Sequence, residues 1–352
     1  MNADVTGAVR PVRVLIVDDT RTIRMLIRTL LARDPRVEVV GEAGDPYEAR
    51  ALIKELQPDV LTLDVEMPRM NGLVFLEKIM RLRPMPVVMV STRTAEQSDA
   101  AVRALALGAL DCIDLKLLQR GDPRVANIAD TIVMAGSAQV RQLRQADGRD
   151  AQNPLKSYDW NGKSVFVGSS TGGVDALMTV FADYPENCPP TVVAQHMPAH
   201  FLESFASRLN SHSAPVVRLA REGDVLRQGE VLIAAGGDHH IRVRNANTPV
   251  LTRVPDDGSA LYVPSVEVLF RSAVGLGDMA VGVMLTGMGR DGAQDMLAMR
   301  TAGAHTIAQS PETVVVDGMP RAARECGAVC DVCHLNDIGA RILQVTAKDA
   351  SR

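Results

Sequence analysis

Apolar and polar residues follow two rhythms that take turns along the chain. From residue 12 a β-branched run, VRVLIV, gives way to an amphipathic stretch near 20–33, then VEVVGEA, then a second helical pattern over 46–56. DVLTLDV, a helix near 72–82, PVVMVS, a helix near 95–106 and ALDCID continue the series, with a further helical pattern near 123–144. Strand and helix alternating at this spacing predict a doubly wound parallel sheet.

The rhythm stops at ADGRDAQNPLKSYDWNG, residues 146–162, which is polar, carries Gly, Asn and Pro, and has no period. It exceeds most loops inside a domain and reads as a linker, with Trp160 near the point where packing on a second domain begins. Alternation then returns: SVFVG, a helix over 172–182, PTVVAQ, a helix over 199–210, short strands through 215–263 and a helix near 265–274. AVGVMLT, a helix over 291–301, HTIAQS and helices near 319–325 and 335–346 complete the chain. The expected architecture is α/β in both halves: a first domain over 10–145, a linker over 146–162 and a second domain over 163–348. A chain of 352 residues also exceeds the size that one core usually serves.

Composition narrows the class. With 46% hydrophobic, 23% charged and 3% aromatic residues, the chain suits a soluble globular protein with a core of Val, Leu, Ala and Met. A net charge of -4 argues against a general nucleic-acid binder. No apolar run approaches a membrane span, and the opening MNADVTGAVRPVRV lacks the apolar region of a secretory signal. Five cysteines, an odd number, fit a reducing cytoplasm. A cytoplasmic protein without nucleic acid or membrane insertion is therefore expected, and a monomer is the expected state.

Three of the cysteines fall in CGAVCDVCH, residues 326–334. Cys330-x-x-Cys333-His334 matches a haem-attachment pattern, and with Cys326 the set offers metal ligands. Haem attachment needs export, and a structural zinc needs a fourth ligand, the nearest other histidine being His305. Buried, apolar cysteines in a late strand are the favoured reading.

Candidate chemistry in the first half rests on carboxylates. Asp18 and Asp19 close the first expected strand and Asp64 closes the third. Ligands of open parallel sheets bind at the carboxyl ends of strands, near the switch in strand order. Three carboxylates gathered there repel one another unless a cation joins them, and an all-oxygen site suits Mg²⁺. A metal-held carboxylate can attack phosphorus to give an acyl phosphate. Taken singly, each aspartate would be a helix cap or a turn residue.

The set VLIVDDT, LTLDVEMPRMNGLVFLEKI, VVMVST and LGALDCI, spanning 12–115, resembles the receiver domain of bacterial response regulators. The resemblance implies a flavodoxin-like sheet in which Asp64 accepts a phosphoryl group from a histidine kinase. It implies Mg²⁺ on Asp19, Asp64 and the backbone carbonyl of Glu66, with Asp18 bound through water. Ser91 would be the hydroxyl that turns toward the phosphate. One departure stands out: DCIDLKLL lacks the family's Lys-Pro, and Lys116 comes one residue late. Such a shift turns a strand side chain to the other face unless a bulge restores it.

In the second half, Gly168-Ser169-Ser170-Thr171-Gly172 fits G-x-S-x-G, a strand–turn–helix that exposes a serine. A phosphate cradle is the rival, but no Lys-Ser/Thr follows the glycines. A serine nucleophile needs a base, and the base an orienting carboxylate. TVVAQHMPAH places His196 at the end of the next strand, and AVGVMLTGMGRDGA places Asp291 in a turn after a later one. His196 has the alternative of capping the helix after Pro198, and Gly287-Met-Gly289-Arg-Asp-Gly292 fits the dinucleotide pattern G-x-G-x-x-G, with Glu312 about twenty residues on. That motif belongs after the first strand of its unit, whereas here it comes late.

GSSTGGVDAL, QHMPAHFLESFASRLN, AAGGDHHIRV and LTGMGRDGAQDM together with the receiver resemble the chemotaxis protein-glutamate methylesterase/protein-glutamine glutaminase family over nearly the whole chain. Ala235 departs from it, standing where the family often has Pro. The resemblance implies a Rossmann-like esterase domain with Ser170 as nucleophile, His196 as base and Asp291 as orienting carboxylate. The Met288 N–H would help form an oxyanion hole, with Thr171 close by, and the chemistry would need no cofactor. The substrate would be methylated glutamates on chemoreceptor helices, and glutamine deamidation a second activity. The receiver would cover the site until phosphorylated. A transcription regulator would instead carry a small, basic, helical output domain, which residues 163–346 do not suggest.

Overall fold

The computed structural model describes residues 10–91, 95–114, 128–138, 158–244 and 247–348, with only the backbone at 91 and 95–97. The chain divides into two compact units, Met1–Gln145 and Ala146–Arg352. The first holds five parallel strands: β1 (Val12–Val17), β2 (Val37–Ala43), β3 (Val60–Asp64), β4 (Val87–Ser91) and β5 (Asp111–Asp114). Their order, β2-β1-β3-β4-β5, is the flavodoxin-like one. The order reverses between β1 and β3, so the carboxyl ends of these two strands open the crevice where ligands bind in such sheets.

Local sequence explains where the helices begin. Asp45 accepts from the N–H groups of Tyr47 and Glu48 and precedes Pro46 at the start of helix Pro46–Leu56. Asn71 accepts from Leu73 N and so caps helix Gly72–Leu82. Gly72 answers to packing: a Cβ there would lie 2.0 Å from the Asp64 carbonyl oxygen, so the Asn-Gly pair of the motif lets the chain fold back against the end of β3. Of the helical pattern read near 123–144, the described part is the helix Ile128–Ser137.

The second unit is built on seven parallel strands in the order β14-β13-β12-β6-β7-β9-β8. These are β6 (Ser164–Ser169), β7 (Thr191–Gln195), β8 (Val216–Leu219), β9 (Glu230–Ile233), β12 (Ala280–Met284), β13 (His305–Gln309) and β14 (Asp331–Cys333). A hairpin of β10 (His239–Arg244) and β11 (Val250–Pro255) forms a separate two-stranded sheet. Every residue of β6, β7 and β12 is buried, which is why these strands read as continuous apolar runs. Phe166, Phe181, Phe201, Phe205 and Phe270 are fully buried in this unit, each stabilising it by about 1.5–3 kcal/mol relative to an exposed ring.

Residues 158–162, read as the end of the linker, attach to the second unit. Tyr158 donates to Thr346 Oγ1 at 2.8 Å, and Trp160 pairs with Ala347 while its indole N–H donates to Lys163 O at 2.7 Å. Residues 146–157 lie outside the described residues. Among the described residues no helix is long and apolar enough to cross a membrane.

Candidate active site

The first unit gathers its aspartates as the sequence implied. Asp18 and Asp19 follow β1, Asp64 ends β3, and β1 and β3 are direct neighbours. Carboxylate oxygens of all three lie within 4.8 Å of one another, and among the described residues this is the one group of three or more His, Cys, Asp or Glu so placed. Burial, reinforced by Asp18 beside it, pushes the Asp64 carboxyl up to about 7. Burial, with Asp19 adding to it against an N–H from Thr20, pushes Asp18 up to about 6. The cluster is thus short of positive charge, and hard oxygen donors at this spacing fit Mg²⁺.

The sign follows from proton binding. Between about pH 4 and 7 the folded domain holds protons that the unfolded chain releases, so its stability falls as pH rises through that window. A divalent cation bound at this cluster would replace those protons. Adding Mg²⁺ at pH 8 is therefore expected to raise the unfolding temperature of this domain in calorimetry, and the same addition at pH 5 to do much less. Equal shifts at the two pH values would contradict a cation site here.

Ser91 ends β4 opposite Asp114 on β5. Its side chain, like the whole of Lys116, lies outside the described residues. Glu66 is exposed just after β3.

In the second unit β12, β6 and β7 are adjacent, and their carboxyl ends carry the serine, histidine and aspartate loops. Ser170 follows β6 in the turn before helix Gly173–Ala182. Two backbone bonds beyond the sheet tie this turn to both neighbours: Ser170 N donates to Thr286 O, and His196 N donates to Ser169 O, each at 3.0 Å. The Gln195 side chain locks the same corner. It accepts from Ser169 Oγ at 2.6 Å and donates to the carbonyls of Ser170 at 2.9 Å and His196 at 3.0 Å.

His196 Nε2 lies 2.7 Å from Asp291 Oδ2, with both side chains almost wholly buried. The other ring nitrogen, Nδ1, is buried and has no hydrogen-bond partner. The ring therefore presents one free nitrogen, and Asp291 fixes which one it is. Asp291 also accepts from Val266 N at 2.8 Å and Glu267 N at 3.0 Å, with Ser265 Oγ at 3.3 Å. The two N–H groups are first-turn donors of helix Val266–Ala273, which the helix itself leaves unpaired, and Ser265 is its N-cap. Burial pushes the Asp291 carboxyl up, but the His196 contact and the two helix N–H groups outweigh it and hold it below the usual carboxylate range.

The backbone after β12 passes directly against the serine. A Cβ at Gly287 would lie 2.7 Å from Ser170 Cβ and 2.4 Å from Met319 Sδ. The Gly287 carbonyl accepts from Gly318 N and Met319 N, which holds this strand exit in place. Met288, next in the chain, is half-buried beside it, and Thr171 is buried next to Ser170. Asp291 belongs to this loop and spends its carboxylate on His196 and the helix, while Glu312 sits exposed in a turn after β13; neither serves a dinucleotide pattern.

The sequence reading missed Gln195, Tyr262 and Ser265. Gln195 left a trace, as the amide that ends the buried strand TVVAQ. Tyr262 stacks on His196, with ring centroids 4.1 Å apart and planes 19° from parallel. It sits in an irregular segment with no period to mark it.

The cysteines need a correction. Cys330 is exposed, and Cys326 and Cys333 are only partly buried. β14 is a three-residue strand at the sheet edge, so one flank stays open to solvent. His305 is committed to Asp331 Oδ2 at 2.6 Å, an oxygen shared with Arg341 at 2.7 Å, and these cysteines form no metal-binding group among the described residues.

Comparison with known proteins gives two family matches. The model for the CheB methylesterase family matches residues 165–342, and that for the response regulator receiver domain matches residues 14–120. A protein-glutamate methylesterase/protein-glutamine glutaminase of Agrobacterium fabrum is 50% identical over 343 residues, 95% of this chain and 96% of the relative. One of Caulobacter vibrioides is 49% identical over 338 residues, 96% of this chain and 98% of the relative. The crystal structure of the Thermotoga maritima CheB methylesterase catalytic domain matches with a TM-score of 0.50 and 34% identity. It covers 52% of this chain and 98% of that one.

Proposed function

Since the chain belongs to the CheB methylesterase family and carries a receiver domain ahead of the esterase domain, we propose that it hydrolyses glutamate γ-methyl esters on chemoreceptors with Ser170, His196 and Asp291 as its triad. It is a phosphorylation-regulated protein-glutamate methylesterase and protein-glutamine glutaminase of bacterial chemotaxis. The observation that carries the residue assignment is the buried His196, bound to Asp291 through Nε2 and open at Nδ1, on the loop tied to the serine turn.

In the reaction, Ser170 Oγ attacks the γ-carbonyl carbon while His196 Nδ1 takes its proton. The imidazolium, stabilised by Asp291, returns that proton to the leaving methoxide, and methanol departs. Water attacks the acyl-enzyme by the same route, releasing the glutamate carboxylate and restoring Ser170. With glutamine the leaving group is ammonia. N–H donors aimed at the tetrahedral oxyanion stabilise it by about 3–4 kcal/mol, and that role falls to Met288 N, next in the chain to the Gly287 that packs on Ser170, with Thr171 near it. None of these steps calls for a cofactor.

Control lies in the receiver domain. A histidine kinase supplies the phosphoryl group to Asp64. Mg²⁺ held by Asp19, Asp64 and the Glu66 carbonyl, with Asp18 in support, would neutralise charge during that transfer. A tenfold change in output needs only about 1.4 kcal/mol of bias between states. The enzyme works in the cytoplasm, where receptor helices and kinase are both accessible. Methanol release from methylated receptor fragments, with and without a small phosphodonor, tests this reading. Wild-type chain is expected to respond to the donor, and Asp64→Asn to keep basal release and lose the response. No release at all, or an undiminished response in Asp64→Asn, would overturn it.

A further inference from the structure

One short segment touches both partners of the proposed triad. Ser265 Oγ and the N–H groups of Val266 and Glu267 hold the Asp291 carboxylate. Three residues before Ser265, the ring of Tyr262 lies flat on His196, centroids 4.1 Å apart and planes 19° from parallel. Leu261 beside it is 63% exposed, whereas Tyr262 is half-buried.

A single hydrogen bond from Nε2 to Asp291 does not fix the imidazole plane. The χ2 torsion of histidine is broad, and rotation about it swings Nδ1 out of line with a hydroxyl at little cost. A flat partner against the ring face removes that freedom. The same face carries the negative lobe of an aromatic quadrupole, which attracts the imidazolium formed when the serine proton transfers. We propose that Tyr262 is a positioning residue for ester hydrolysis: its ring, stacked on His196, fixes the plane of the base so that Nδ1 faces Ser170, and supports the protonated ring. The proposal rests on His196 being the base.

The stack acts through the aromatic face, so the ring matters more than the hydroxyl. Full-length Tyr262→Ala, Tyr262→Leu and Tyr262→Phe are compared with wild type and with His196→Gln. Readouts are kcat and KM for methanol release from methylated receptor fragments, and the rate at which a fluorophosphonate reagent modifies Ser170. The leucine variant keeps apolar bulk, so a folding defect in the alanine variant does not decide the outcome. The expected result is a fall in kcat of about tenfold for Ala and Leu with KM within about twofold, and Phe within about twofold of wild type on both readouts. Wild-type rates in Ala and Leu, or Phe as slow as Ala, would overturn the proposal. Should His196→Gln keep the wild-type rate, the base assignment itself fails, and the role of Tyr262 falls with it.

Discussion

Replacing Ser170 with alanine is expected to lower kcat for methyl-ester hydrolysis by roughly 10⁴- to 10⁶-fold while leaving KM nearly unchanged. In the proposed mechanism the hydroxyl is the nucleophile, and the bonds that hold its turn do not involve it. The turn around residue 170 is held by its backbone bond to Thr286 and by the Gln195 amide, not by Oγ. The variant should therefore melt with wild type and still compete for methylated receptor fragments. Residual turnover would come from the oxyanion donors acting on water. A loss smaller than about a hundredfold in methanol release would mean that another group attacks the ester.

Asp291→Asn is expected to cost roughly 10⁴-fold in kcat, again with little change in KM. The carboxylate accepts from His196 Nε2 and from two helix N–H groups, so it sets the tautomer that leaves Nδ1 bare. A carboxamide has one oxygen for all three donors, and its NH₂ turned toward the ring favours the tautomer with a proton on Nδ1. In the proposed mechanism that proton sits where the serine proton has to go. The substitution nearly preserves volume, so the result reads chemistry more than packing. Steady-state methanol release checks it: a loss under tenfold would show that Asp291 orients nothing essential.

What the sequence revealed and what it hid divide along physical lines. Strands such as VLIV at 14–17 and TVVAQ at 191–195 were legible because a parallel sheet buries both faces, leaving unbroken apolar runs. The placement of Ser170, His196 and Asp291 at one edge of the sheet was legible because each follows such a run, and adjacent parallel strands bring their carboxyl ends together. Contacts across long sequence separation were not. Nothing in the spacing of residues 265–267 and 291 announces that a helix start will grip a carboxylate 24 to 26 residues later. Tyr262 is hidden for the same reason: its partner is set by the tertiary path of an irregular segment. The cysteines misled through a general preference for burial: Cys333 lies on the edge strand β14 with its open flank, and Cys326 and Cys330 lie outside any strand. Linker residues 158–162 read as polar and aperiodic, yet pairing with the end of the final helix orders them.

Labelling the full-length chain with a fluorophosphonate and locating the adduct by peptide mass reads the nucleophile itself. The adduct is expected on Ser170, methanol release should fall in step with modification, and His196→Gln should label far more slowly. An adduct on another residue that abolishes turnover, or methanol release that persists after Ser170 is fully modified, would contradict the triad.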